Sequence, residues 1–172
     1  MGENYERGEI FLPQLIQSAE TVKSSFEIIK SKLKKGCDCE ISSGKIILAT
    51  VKGDIHDIGK NIVKILLENY NYSVIDLGKD VPKEEIIETA IKNEIKLVGL
   101  SALMTTTVKN MEDTIEELKK AKPDCIVMVG GAVLNDDYAK MINADYYAKD
   151  AREAITIAKR VLDNKDREKD IG

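Results

Sequence analysis

The chain has 172 residues, of which 33% are charged and 43% hydrophobic, and its formal net charge is -4. These proportions indicate one folded globular domain with a modest appendage. The negative charge argues against nucleic acid as the main partner, and no apolar stretch approaches the ~18 residues of a membrane span. The acidic N-terminus does not resemble a signal peptide, and three cysteines fit unpaired thiols in a reducing cytoplasm, so we expect a cytoplasmic protein.

Residues 10–35 are predicted to form one long amphipathic helix, because apolar side chains recur there at alternating steps of three and four. They are Leu12, Leu15, Ala19, Val22, Phe26, Ile29 and Leu33. This spacing is typical of a helix bundle, yet the rest of the chain offers no comparable partner helices. We therefore expect an excised fragment with a remnant of a helical cap and a linker over residues 1–40 and an α/β domain over 41–172. A plain N-terminal helix packed on the core is the alternative.

Five strand–helix units are predicted after a polar linker. Apolar runs bounded by turn residues predict strands at 45–51, 73–76, 96–101, 125–130 and 145–148, and the first helix is predicted over 61–69. Strands that alternate with helices of this length indicate a parallel sheet covered by helices on both faces. We expect a flavodoxin-like, or Rossmann-like, sheet in the order 2-1-3-4-5, which suits five units.

The loop after the first strand contains the only histidine, His56, between Asp54 and Asp57. Doubly wound folds bind their ligands at this edge of the sheet. Imidazole is the commonest metal ligand, and a carboxylate often holds its second nitrogen. One histidine is too few for tetrahedral zinc, so any metal is expected to arrive inside a macrocycle. The alternative is an ordinary surface histidine.

The predicted strand order brings the loop after the third strand into the same cleft. That loop runs from Ser101 to Thr107, and Gly130-Gly131 ends the fourth strand at the same edge. Gly99 interrupts the third strand, which often marks close approach by a ligand or by backbone. Ordinary turn geometry could explain the glycines, and Thr106 or Thr107 could simply be the N-cap of the next helix.

These motifs match a known family. Asp54-x-His56-x-x-Gly59 resembles the signature of cobalamin-binding domains, and the wider stretch 49–63 is similar to that of cobalamin-dependent methionine synthase and related methyl-carrying corrinoid proteins. Ser101-x-Leu103 and Gly130-Gly131 resemble two further motifs of the family. The segment Gly8-x-x-Phe11-Leu12-Pro13-Gln14-Leu15 looks like the start of the last helix of the family's four-helix cap. The resemblance extends from about Tyr5 to Leu162.

The resemblance implies a role for each matching residue. His56 would bind the cobalt of base-off cobalamin, Asp54 would accept the N–H of its ring, and Thr107, where methionine synthase has a serine, would complete the network. The other implied cofactor contacts are Gly53, Ile55, Asp57 and Gly59 in the first loop, Ser101, Leu103, Thr105, Gly130, Gly131 and Ala151 around a slot for the nucleotide tail, and Tyr5, Leu12 and Leu15 in the cap.

The resemblance also implies a function. The domain would carry a methyl group as methylcobalamin, from methyltetrahydrofolate to homocysteine, with separate modules as methyl donor and acceptor partners, and would be inactive alone. A corrinoid protein of a methylamine- or methanol-type system, and a cobalamin sensor that is not an enzyme, are the alternatives. Adenosylcobalamin mutases lack the cap helix, and a phosphoacceptor receiver domain would need an aspartate where Ser101 stands. The oligomeric state stays open.

Overall fold

A computed structural model describes residues 43–163 as a five-stranded parallel sheet in the order β2-β1-β3-β4-β5. The strands are β1 (Lys45–Val51), β2 (Ser73–Val81), β3 (Leu97–Ser101), β4 (Ile126–Gly130) and β5 (Tyr146–Tyr147). The helices are α1 (Ile58–Asn69), α2 (Lys83–Lys92), α3 (Val108–Ala121), α4 (Asp136–Met141) and α5 (Ala151–Leu162), with a 3₁₀ turn over Thr105–Thr107 before α3. The expected flavodoxin-like order is confirmed. The predicted helix over 10–35 lies outside the described residues.

The sheet has a buried face on each side. On one face, side chains such as Ile47 and Val98 pack against α2, α3 and α4. On the other face, neighbours such as Ile46 and Leu97 pack against α1 and α5. Strands that are buried on both faces have nearly continuous apolar sequences, which is why the central strands were recognisable. Within residues 43–163, no helix is long and apolar enough to cross a membrane.

β2 differs most from its prediction, because it continues past the expected end at Asp76 to Val81. Its register with β1 is irregular there: Leu48 pairs with Asp76, but Ala49 pairs with Gly78 and Val51 with Val81. The extra residues bulge out, with φ of 91° at Gly78 and 55° at Asp80. This irregular end of β2 lies beside the loop that follows β1.

Candidate functional site

Asp54 is the buried anchor of the loop after β1, with no exposed surface. Its Oδ1 accepts hydrogen bonds from the His56 backbone N–H at 3.0 Å and lies 2.8 Å from His56 Nδ1. Burial alone would raise the pKa of Asp54. The donors around the carboxylate, led by the amides of His56 and Leu103, outweigh that effect and hold its pKa well below the ordinary value. Because the carboxylate is ionised and only accepts, Nδ1 of His56 carries the proton and donates.

The second oxygen of Asp54 is bound by the loop after β3. Oδ2 accepts from the backbone N–H of Leu103 at 2.7 Å and of Met104 at 3.3 Å, and it lies 2.9 Å from the Thr107 hydroxyl. The structure thus brings together Asp54, His56 and Thr107. Sequence reasoning missed the two backbone donors, which no residue type reveals.

Thr107 is the N-cap residue of α3, as the alternative interpretation of the threonine run predicted, but its side chain makes no capping hydrogen bond. Its hydroxyl instead lies between Asp54 Oδ2 and the carbonyl oxygen of Met104, 2.8 Å away. A hydroxyl has one proton, so it donates to one of these two acceptors at a time.

The His56 ring projects to the protein surface, with 46% of its side chain exposed. Since Nδ1 is held by Asp54, Nε2 is the nitrogen that remains for a metal. Three large apolar side chains are exposed at the same edge: Ile55 at 62%, Ile58 at 79% and Leu103 at 41%. A histidine among exposed apolar side chains fits a metal that is carried in a large, flat, mostly apolar ligand. Among the described residues, no three His, Cys, Asp or Glu side chains are grouped to hold a metal ion.

Two residues that sequence reasoning missed hold the histidine loop in place. Gly53 N–H donates to Asp80 Oδ1 at 2.7 Å, and Asp80 N–H donates to the Asp54 carbonyl at 2.9 Å. Asn110, on α3, donates from its side-chain amide to the Lys52 carbonyl at 2.8 Å. Gly53 has a φ of 84°, which explains why glycine stands there. The prediction missed Asp80 because it ended β2 at Asp76.

A cavity of about 380 Å³ opens beside this loop, between the sheet and helices α1 and α5. Its walls include five of the residues predicted for the tail slot or the first loop, namely Gly59, Ser101, Gly130, Gly131 and Ala151. Leu103 and Thr105 are not among the lining residues. Leu103 lies at the His56 edge, and Thr105 is exposed in the 3₁₀ turn. Asp57 is the N-cap residue of α1 and makes no side-chain capping bond.

The glycines around the cavity have different explanations. Gly131 has a φ of 141°, and a Cβ there would lie 1.8 Å from the Ala102 carbonyl oxygen, so backbone packing requires glycine. At Gly59, by contrast, a Cβ would meet no atom within 4 Å, and the residue lines the open cavity. Close approach of the Ala102 backbone therefore explains Gly131, whereas Gly59 leaves room for a ligand.

One buried polar group near the cavity lacks a partner. The Thr50 side chain has no exposed surface, and its hydroxyl makes no hydrogen bond to any residue that the structure describes. Thr50 pairs with Ser101, a residue of the cavity wall, across β1 and β3. Buried polar groups normally have partners, so an unpaired hydroxyl beside a cavity is consistent with a polar ligand group nearby. The predicted cap contacts Tyr5, Leu12 and Leu15 lie outside the described residues.

Comparison with known proteins gives two family matches. A model described as B12 binding domain matches residues 44–156, and a second model of the same description matches residues 1–30. Dimethylamine corrinoid protein 3 from Methanosarcina mazei is 40% identical over 94% of this chain and 98% of its own length. Trimethylamine corrinoid protein 1 from Methanosarcina acetivorans is 37% identical over 94% of this chain and 76% of its own length.

A solved structure is similar as well. The methanol:cobalamin methyltransferase complex from Methanosarcina barkeri contains a chain that is 31% identical, with a TM-score of 0.86 over 95% of this chain and 62% of its own. These relatives are corrinoid or methanol-system proteins. They favour the alternative of a methylamine- or methanol-type corrinoid protein over the methionine synthase prediction, and they do not support a role in methionine biosynthesis.

Proposed function

Because the chain belongs to the family of B12 binding domains, with cobalamin as cofactor, we propose that it is the corrinoid protein of a methyltransferase system for methylated amines. The observation that carries the site assignment is the Asp54–His56 pair, with Nδ1 2.8 Å from the buried carboxylate and the ring half-exposed. When bound, cobalamin supplies a cobalt ion that carries the methyl group. The protein supplies one ligand, its orientation and control of access.

In this proposal each residue of the network has a distinct task. His56 presents the lone pair of Nε2 toward the cofactor. Asp54 keeps the proton on Nδ1 and orients the ring, since its low pKa keeps it a pure acceptor. Thr107 and the amides of Leu103 and Met104 hold the carboxylate still.

The slot beside His56 receives the nucleotide tail of the base-off cofactor. Its position supports this, because the cavity is lined by Gly59 at the start of α1 and by Ser101 at the end of β3, next to the two loops that meet at Asp54. Three further predicted contacts, Gly53, Ile55 and Asp57, lie in the loop around His56 itself. Ile55 and Ile58, whose apolar side chains are exposed at this edge, would contact the corrin ring.

Absorbance spectroscopy tests the ligand assignment. The apoprotein mixed with cobalamin should show the spectrum of a base-off, histidine-bound cofactor, and His56→Ala should lose it while keeping the fold. Lys109→Met, which removes only exposed ion pairs on α3, serves as the matched control and is expected to keep histidine ligation. A spectrum unchanged by mixing, or one that persists in His56→Ala, would refute the assignment.

The substrate is proposed from the relatives. The dimethylamine and trimethylamine corrinoid proteins are 40% and 37% identical to this chain, against 31% for the methanol-system chain. The loaded protein should therefore be methylated by the methyltransferase of a dimethylamine or trimethylamine system. Faster methylation by the methanol-system enzyme would reverse this choice.

We also propose that residues 1–40 are part of a helical cap and that residues 41–172 form the cobalamin domain. The separate family match over residues 1–30 supports this division. In that arrangement Tyr5, Leu12 and Leu15 would contact the upper face of the corrin. Removal of residues 1–40 should then leave histidine ligation intact but change the reactivity of the upper face.

A further inference from the structure

The wall of the slot formed by the sheet consists of two rows of residues set by the strand register. The inner row is Leu48, Gly99 and Met128, which pair across β1, β3 and β4. The outer row, two residues closer to the carboxyl edge, is Thr50, Ser101 and Gly130. Side chains two residues apart in a strand point to the same face, and the rows are about 7 Å apart.

The inner row is a continuous hydrocarbon surface. A Cβ on Gly99 would lie 2.6 Å from Leu48 Cδ2 and 3.2 Å from Met128 Cε, so these two side chains meet over the glycine. Val63 of α1 and Ala154 of α5 line the same cavity from the helical side. None of the four side chains of Leu48, Met128, Val63 and Ala154 can donate or accept a strong hydrogen bond.

Most polar side chains of the slot lie at its outer end. Ser101 lines the cavity in the outer row, beside the buried Thr50. Lys60 of α1 also lines the cavity, but its ammonium group donates to Asp76 Oδ1 and to Asn61 Oδ1 and is therefore already paired. Lys149 and Asp150, just before α5, also line the cavity. The slot therefore has a polar mouth and an apolar inner end.

We infer that this slot selects corrinoids by their lower nucleotide base, accepting a benzimidazole with a hydrocarbon edge and discriminating against adenine. The inference rests on the proposed function. The base is joined to its ribose through one ring nitrogen, so the ribose and phosphate remain at the polar mouth and the opposite ring edge enters first. In dimethylbenzimidazole that edge carries two methyl groups. In adenine it carries ring nitrogens and an amino group, which would lose water at the inner row and find no partner.

The test measures the affinity of the apoprotein for three corrinoids by absorbance titration. They are cobalamin, the adenine-containing cobamide, and cobinamide, which has no nucleotide. Cobalamin should bind about tenfold to a hundredfold more tightly than the adenine cobamide, the range expected when an apolar pocket leaves a polar group unpaired. Equal affinities in the unaltered protein would overturn the inference without any variant.

Two variants of Met128 test whether the apolar inner row causes the preference for cobalamin. Met128→Gln places an amide of similar length in the inner row and should shrink the preference for cobalamin to about threefold or less. Met128→Leu keeps the row apolar at similar volume and should preserve the preference. Cobinamide affinity should be the same in all three proteins, which shows that folding and His56 are intact. A preference unchanged by Met128→Gln at unchanged cobinamide affinity would also overturn the inference.

The outcomes separate this inference from the proposed function. If all three corrinoids bind with histidine ligation and equal affinity, only base selection is wrong. If none of them acquires histidine ligation, the proposed function is wrong and the inference is wrong with it.

Discussion

Replacing Thr107 by valine removes a side-chain hydroxyl that lies 2.9 Å from Asp54 Oδ2. Thr107 is 4% exposed, so water cannot take the place of its hydroxyl. A hydrogen bond to a charged group contributes about 1.5–3 kcal/mol, and the Leu103 and Met104 amides still serve the same oxygen. We therefore expect a loss near the lower end, about 1.5 kcal/mol in the free energy of unfolding. With a urea m-value of about 1–3 kcal/mol/M, the midpoint should fall by roughly 1 M. The midpoint of Thr107→Ser, which keeps the hydroxyl, should fall far less.

A double-mutant cycle with Asp54→Asn decides which acceptor the hydroxyl uses. If it donates to Asp54, Thr107→Val should be much less destabilising in the Asp54→Asn background, with a coupling of about 1 kcal/mol or more. If it donates to the Met104 carbonyl, the two losses should simply add. Additive losses in urea unfolding would refute the three-residue network proposed here. Histidine ligation of bound cobalamin, followed by absorbance, should weaken in Thr107→Val and persist in Thr107→Ser.

Three further predictions follow from the loops and the slot. Gly59→Ala should raise apoprotein stability by about 0.5–1 kcal/mol, since alanine favours the helix, yet weaken cobalamin binding, because the new methyl enters the slot; unchanged affinity would contradict it. Gly131→Ala should lose about 3 kcal/mol in urea unfolding, because its Cβ would overlap the Ala102 carbonyl at a φ of 141°, and an unchanged midpoint would contradict this. Asp80→Gly should reduce the histidine-ligated fraction of bound cobalamin by freeing the Gly53 amide. Its control, Lys52→Met, removes only an exposed ion pair and should have little effect; equal losses in both would contradict the role of Asp80.

The fold was predictable where burial on both faces produces apolar runs, as in β1, β3 and β4. The predicted element boundaries were wrong where the local backbone conformation differs from what the sequence pattern indicates. The end of β2 contains Gly78 and Asp80 at positive φ, so its sequence resembles a turn although it continues the sheet. α1 begins at Ile58, earlier than the predicted start at residue 61. The prediction started the helix too late because a glycine such as Gly59 usually indicates a loop.

The candidate site was predictable only as far as side chains define it. The Asp54–His56 pair and Thr107 have distinctive side chains at fixed spacing, and the structure brings them together. The amides of Leu103 and Met104 have no such signature, since nearly every residue has an N–H. Nor does a strand buried on both faces indicate which of its apolar residues, such as Leu48, will line a cavity.

The residues of the site fall into two groups that contribute differently to ligand binding. One group orients the His56 ring, and the other contributes binding free energy. Asp54, His56 and Thr107 find their partners within the chain, so the ring is oriented in advance and binding loses little free energy to ordering. Ile55 and Ile58 do not, because their apolar side chains are 62% and 79% exposed. A ligand that covers these side chains removes apolar surface from water and stabilises the fold by mass action. The first group therefore orients the His56 ring, and the second group provides binding free energy. Substitutions in the first group should weaken histidine ligation, whereas substitutions in the second should mainly lower the affinity for the ligand.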